Sequence, residues 1–301
     1  MNLVGLDGKN LQNISKKKSQ RNIKGSLAAI GASSIATAAS SLVNLLPIQF
    51  MVGTNKHLNK DEVQFVNKSA DDILEHVTNL AKKNVTIENY TIANNHTNIP
   101  DFLYSLKDTF FAIGSGRNAC FTEHDVLVGD RIPWDIIQGN TVIINQEKFP
   151  LAVFHELGHA FNYNNSAFWK NMQSLRIPGM VLASLFMLLP AITKDSKAQD
   201  GKELTKGQKF KNGLRKMSPA LAFASMLPTL SEEAMASIRG CKWAKQLLDP
   251  SMYKKVLKTN VVAYSTYVIG ALSFALGAFV AKKIKDKTQE KLETQNQSSS
   301  L

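Results

Sequence analysis

Two histidines four residues apart, with a glutamate beside the first, sit inside an apolar stretch at Phe154-His155-Glu156-Leu157-Gly158-His159-Ala160. The run Phe149-Pro150-Leu151-Ala152-Val153 leads into it and Phe161 continues it. Pro150 suits a first helical turn, where its missing N–H has no partner to lose and its φ is already helical. A helix over this segment stacks His155 and His159 on one face, one turn apart. Apolar neighbours bury that face, and buried imidazoles and carboxylates need partners. Two such imidazoles grip one metal ion, and Glu156 reaches a water in the ion's open position. Leu157 and Gly158 keep the space between the ligands lean. The bland alternative is an exposed helix with accidental histidine spacing, and the apolar surroundings argue against it.

One helix supplies two ligands, so a third comes from elsewhere. Metzincins place a histidine six residues after the second one. Here Asn165 holds that position and Asn162 holds their glycine position, so that pattern fails. The other source is an acid on a later helix. The segment Leu230-Ser231-Glu232-Glu233-Ala234-Met235-Ala236-Ser237 offers Glu233 as the expected ligand and Glu232 as the alternative. The plainer reading of this pair is an N-terminal charge pair behind a Ser231 cap. His124 and Asp125 are rival ligands. His57, His76 and His96 lie in polar stretches and read as solvated surface residues.

HExxH is the signature of zinc metallopeptidases. The order of motifs resembles the membrane-embedded gluzincin peptidases of the HtpX type and the CAAX-prenyl-protease type. In that family HExxH precedes a hydrophobic hairpin and then an E-x-x-A-D stretch that supplies the third ligand. Here two apolar runs follow His159, and then comes Glu233-Ala234-Met235-Ala236-Ser237. Ser237 replaces the family's Asp, which hydrogen-bonds a ligand histidine and fixes its tautomer; a serine does this only weakly. Asn118-Ala119-Cys120-Phe121 is similar to the family's Asn-Ala-Phe stretch, on a strand beside the substrate. The likeness covers roughly residues 110–245.

The resemblance implies a zincin-like (gluzincin) metallopeptidase domain, mostly α with a small β-sheet, combined with transmembrane helices. It implies one Zn2+ per chain on His155, His159 and Glu233, with Glu156 as general base of a membrane-bound endopeptidase. The expected substrate is a protein or peptide associated with the membrane. Tyr163, Arg239 and His124 are unranked donors to the developing oxyanion. Two other classes stay open: a catalytically inactive zinc-binding membrane scaffold, and a membrane anchor or permease-like protein in which the motif is accidental.

Mean hydropathy is slightly negative, yet the apolar content is concentrated. Residues 26–52, 177–193, 217–231 and 261–281 carry no charge over 27, 17, 15 and 21 residues. A spanning helix needs about 20 apolar residues. The last run satisfies this, and Gly270 and Gly277 suit close helix packing. The first is rich in Ala and Ser, the second is marginal, and the third is short and contains Pro219 and Pro228. The expected division is a basic N-terminal segment at 1–25, a membrane helix at 26–52 and a zincin-like domain at 53–176. A hydrophobic hairpin with a basic loop follows at 177–231, then a third-ligand helix region at 232–260, a transmembrane helix at 261–281 and a polar tail at 282–301, frayed or disordered.

Of the net charge of +12, residues 1–25 carry +5, 194–216 carry +5 and 282–301 carry +2, whereas 60–176 carry −4. Basic loops stay cytoplasmic. Four alternating spans of a multi-pass cell-membrane protein then put the motif helix and Glu233 together outside. Against this, residues 232–260 carry six basic and three acidic groups, and the HtpX-type relatives face their site to the cytoplasm. Lys16-Lys17-Lys18 suits anionic lipid at the membrane surface. The long basic and apolar regions favour an anchor over a cleaved signal. No zinc-finger spacing, RNP stretch or aromatic-basic interleaving supports nucleic acid as a partner.

Residues 61–83 space apolar side chains as one face of a helix. Val85-Thr86-Ile87 and Tyr90-Thr91-Ile92, residues 109–113, Ala119-Cys120-Phe121, residues 125–128 and residues 141–145 read as strands, the last feeding the motif helix. Residues 94–100 read as a loop. Cys120 and Cys241 set no disulfide framework and read as separate thiols, with one bridge as the alternative.

Overall fold

The computed structural model describes residues 8–43, 45–81, 84–89, 119–128, 135–144, 149–198 and 203–298. The expected strands at 90–92 and 109–113, the loop at 94–100, His96 and Asn118 lie outside the described residues. The chain is mostly helical with a small sheet. The described elements are α1 (Gly8–Val43), α2 (Leu45–Lys56), α3 (Lys60–Ala81), β1 (Thr86–Asn89), β2 (Ala119–Thr122), β3 (Val126–Val128), β4 (Asp135–Ile137) and β5 (Thr141–Ile144). After them come α4 (Val153–Asn165), α5 (Ala167–Ser174), α6 (Arg176–Ile192), α7 (Lys206–Ala224), α8 (Leu227–Leu247) and α9 (Pro250–Ser298). They form two compact units, one of residues 41–179 and 226–270, the other of residues 1–40, 180–225 and 271–301.

In the first unit β5 lies between β1, parallel to it, and β2, antiparallel to it. All four β5 residues are buried, which suits the β-branched run Thr141-Val142-Ile143-Ile144. β3 and β4 pair separately. Asn140, with φ of 63°, turns the chain into β5. Its side chain donates to the Asn84 carbonyl and accepts from Asn164 of α4. A 3-10 turn at Pro150–Ala152 then starts the motif helix. Val66, Ile73 and Val77 of α3, Val142 and Ile144 of β5, Leu151, Phe154 and Leu157 build one core with Ala244 of α8 and Val256 of α9.

The contact between α4 and α8 is the closest in this unit that a glycine enforces. A Cβ on Gly158 would come within 2.9 Å of the Ala236 carbonyl carbon, and one on Gly240 within 2.5 Å of the Phe154 carbonyl oxygen. The two glycines are reciprocal. Residues 154 and 158 of one helix meet 240 and 236 of the other, backbone against backbone.

The second unit is packed inside out by the standards of a protein in water. Its buried positions are small: Ala29 and Ser33 of α1, Ala183 and Ala191 of α6, Ala271, Ala278 and Ala281 of α9. Its exposed positions are large and apolar: Ile35 is 71% exposed, Leu185 58%, Leu272 52% and Phe279 48%. A polar layer closes one end. Arg215, fully buried, pairs with Asp195 at 3.1 Å and Asp286 at 2.7 Å. Lys285 donates to Asn22 and Ser26.

Several expectations change. By length and apolar composition one helix suffices to cross a membrane, α9 over Pro250–Lys291, and α5 with α6 pass together, bent by 42°. The four-span, multi-pass arrangement is not supported on those criteria. The run at 217–231 is divided between α7 and α8 around Ser225 and Met226, with Pro228 in the first turn of α8. The run at 26–52 is divided between α1 and α2, and α1 begins back at Gly8 in the basic segment. The tail is helical to Ser298 rather than frayed.

Gly158→Ala and Gly240→Ala each force the two helices apart, because the obstructing atoms are backbone and cannot rotate away. We expect each to cost about 1–3 kcal/mol of stability in denaturant unfolding, as overpacking does. Bound metal, read by elemental analysis, falls with it.

Candidate metal centre

The helix α4 buries both histidines and Glu156, and α8 buries Glu232 and Glu233 against them. His155 Nε2 and His159 Nε2 are 2.9 Å apart. Glu233 Oε2 lies 3.1 Å from the first and 3.4 Å from the second. Bonds of about 2.0–2.1 Å put two donors of a tetrahedral zinc about 3.3 Å apart. The three atoms therefore form one face of such a tetrahedron, and this buried group can hold a metal ion.

The expected ligands His155, His159 and Glu233 come together across 78 residues of sequence. Glu232, the alternative ligand, does not join them. It faces the far side of His159, with Oε1 2.7 Å from Nδ1. Asn162 donates to the same oxygen at 3.1 Å. Ser237 Oγ lies 3.1 Å from His155 Nδ1, the place the resemblance gives to an Asp. Each imidazole thus has an oxygen on Nδ1 and turns Nε2 to the shared point, the usual way a tautomer is fixed around a metal. The partner is a carboxylate for one and a neutral hydroxyl for the other.

Two residues that sequence reasoning missed complete the centre. Arg176, at the start of α6, hydrogen-bonds Glu233 Oε1 and approaches Glu232 Oε2 at 3.5 Å. Tyr267 of α9 directs its phenol to Glu233 and lies under the Arg176 guanidinium, 5.9 Å from ring centroid to Cζ. The only signal for Arg176 was a lone cation opening a charge-free run. Tyr267 gave none inside its own apolar run. The expected oxyanion donors lie elsewhere. Tyr163 packs on Phe121, Arg239 lies over the Phe161 ring at 4.4 Å, and His124 is exposed beside Glu123. His57 and His76 are exposed, as expected.

Burial pushes the Glu156 carboxyl above its usual range, and His155 and His159 oppose this without cancelling it. Burial also opposes charge on Glu233, but Arg176 and His159 outweigh it and hold the group well below the usual carboxylate range. Burial disfavours charge on His159, yet Glu232 and Glu233 together raise it well above its ordinary value. Cys120 of β2, near Glu156, is pushed up to about 12 by burial. Cys120 and Cys241 are not bridged to each other.

β2 is an edge strand of the three-stranded sheet among the described residues, and Cys120 places it beside Glu156. No family model, curated protein or solved structure matches the chain.

In the metal-free chain Glu232 and Glu233 strengthen the hold of His159 on a proton, where an ion would need a lone pair. Binding of a metal ion releases such a proton. We expect calorimetric titration in buffers of different ionisation enthalpy to show that release, with zinc affinity rising from pH 6 to 8, a window chosen around the ordinary histidine value of about 6.5. The sign for folding is opposite. His159 stabilises the metal-free chain fully below its unfolded value, and this is lost as pH rises through the raised folded one.

Proposed function

We propose that the chain is a membrane-bound zinc endopeptidase of the gluzincin type, similar to the HtpX-type and CAAX-prenyl-protease-type enzymes. The observation that carries this reading is the triangle of His155 Nε2, His159 Nε2 and Glu233 Oε2, with Glu156 buried beside it. Two imidazoles and one carboxylate are the ligand set of catalytic zinc sites that leave a position open. A zinc ion held there supplies a Lewis acid that acidifies water and polarises a carbonyl.

The residues of the chain do the rest. Glu156 accepts the water's proton and returns it to the leaving amine. Its raised affinity for protons brings it nearer the working pH of a general base than a solvated glutamate would be. Arg176 fixes Glu233 and offsets its charge. β2 is an edge strand among the described residues, and an extended peptide adds to such an edge with its carbonyl carried toward Glu156. Tyr267, directed at Glu233, offers a hydroxyl donor for a developing oxyanion.

The membrane reading draws on α9 and on the inverted packing of the second unit. Small residues at helix contacts and large apolar ones outside are what a bilayer selects. On this reading other helices of this unit cross beside α9, giving a multi-pass protein. The polar layer of Asn22, Asp195, Arg215, Lys285 and Asp286 gathers the three basic segments at one end of that unit. The excess of basic residues there favours the cytoplasmic side for it. The second reading, an inactive zinc-binding scaffold, draws on Ser237 replacing a carboxylate at His155.

Glu156→Gln keeps the three ligands and removes the base. We expect stoichiometric zinc, with cleavage of a membrane-anchored reporter reduced by about 10²–10⁴-fold. Cleavage by this variant at the normal rate removes Glu156 from its role. Zinc in the wild type without chelator-sensitive cleavage favours the scaffold.

A further inference from the structure

Residues 232–260 are basic, with six lysines or arginines against three acids, on the side where a four-span topology expects few. Three of those lysines, Lys254, Lys255 and Lys258, line one cavity of about 570 Å³ together with Phe50, His57 and Ser251. All six belong to the unit of residues 41–179 and 226–270, and none of them takes part in the metal centre. Glu62 neutralises Lys255 at 2.7 Å. Lys254 and Lys258, both exposed and one helical turn apart, pair with no carboxylate among the described residues. Like charges at this spacing repel each other. The cavity falls within the range of small-ligand sites, about 300–1,000 Å³. It has the charge and the room for an anion.

Position along α9 says which anion. The charge-free stretch begins at Val261. At a rise of 1.5 Å per residue, Lys258 lies about 4.5 Å and Lys254 about 10 Å before it. The polar layer on each face of a bilayer is about 5–8 Å deep. Lys258 therefore starts within the headgroup layer, and Lys254 just outside it, from where its four-carbon stem reaches the level of the lipid phosphates. The cavity also has an apolar wall. Phe50, which lines it, is 49% exposed, and Leu46, one turn earlier on α2 and outside the cavity, is 68% exposed. Inorganic phosphate gains nothing from that surface, whereas an acyl chain buries it.

The geometry points to a binding site for an anionic phospholipid. Its phosphate lies between Lys254 and Lys258, its headgroup beside Ser251 and His57, and one acyl chain along Phe50 and Leu46. The site accounts for the basic excess of this segment without placing it in the cytoplasm. It rests on the reading of α9 as a membrane helix, and the test separates the two.

The full chain and its Lys254→Gln/Lys258→Gln variant are extracted in detergent and mixed with equal amounts of phosphatidylglycerol and phosphatidylcholine. Retained lipid is read by native mass spectrometry. The same membranes are washed with alkaline carbonate beforehand. The expected result is that both chains stay in the washed membranes and hold equal zinc. The wild type keeps phosphatidylglycerol in preference to phosphatidylcholine. The variant loses that preference by about thirtyfold, the effect of two lysines at a headgroup surface. Equal preference in both chains, or none in the wild type, overturns the site and leaves the membrane reading standing. Displacement of the phospholipid by an equal concentration of inorganic phosphate makes this a free-anion pocket and overturns the lipid assignment. Release of the wild type by carbonate refutes the membrane reading, and this site falls with it.

Discussion

The backbone-to-backbone crossing of α4 and α8 is the constraint on which the rest depends. Helices pack with axes about 8–10 Å apart, the spacing being set by the side chains between them. Where Gly158 meets Ala236 and Gly240 meets Phe154, no side chain intervenes. Glutamate is short, and from a distant helix Glu233 would not reach both imidazoles of α4. Because the helices touch, its Oε2 lies 3.1 and 3.4 Å from the two ring nitrogens. The same crossing brings Ser237 under His155 and Glu232 under His159, one on each flank of Glu233. Close approach at two glycines thus delivers one ligand and both orienting oxygens.

Such an assembly buries three glutamates, two histidines and part of an arginine in one place. Isolated, each of these charges would be costly. Here each finds a counterpart. Arg176 lies against both acids of α8, and His159 shares them. Glu156 is the exception, because the surrounding charge does not overcome its burial. A set of acids held at different proton affinities within one cluster is how proteins divide roles among chemically identical groups. Glu233 is held toward its ionised form, while burial strengthens the hold of Glu156 on a proton.

The legible part of this centre was the part set by local geometry. His155 and His159 stack because any helix stacks residues four apart. The helix read at 61–83 from its apolar spacing corresponds to α3, and the strand read at 141–145, leading to the motif helix, corresponds to β5. Glu233 was found from the order of motifs. The separate duty of Glu232 was not, since neighbours on a helix diverge by about 100° and only the crossing decides which faces Nε2. Arg176 and Tyr267 come from helices whose patterns speak of lipid or core, and only tertiary packing carries them to Glu233. β4, at Asp135–Ile137, was missed because an acid, a poor strand former, opens it and only two apolar residues follow. The first apolar run is divided between α1 and α2, and two of its small residues, Ala29 and Ser33, are buried.

The chain route through the two units has a consequence for biogenesis. Residues 41–179 hold two histidines, and the acid that completes their centre arrives only with residues 226–270. Between them the polypeptide leaves to build part of the other unit, at 180–225. A nascent chain therefore carries half a clasp until that excursion has been synthesised and the following helix has closed on the first. A chain threaded this way cannot bring the three ligands together on the ribosome, whatever cation is at hand.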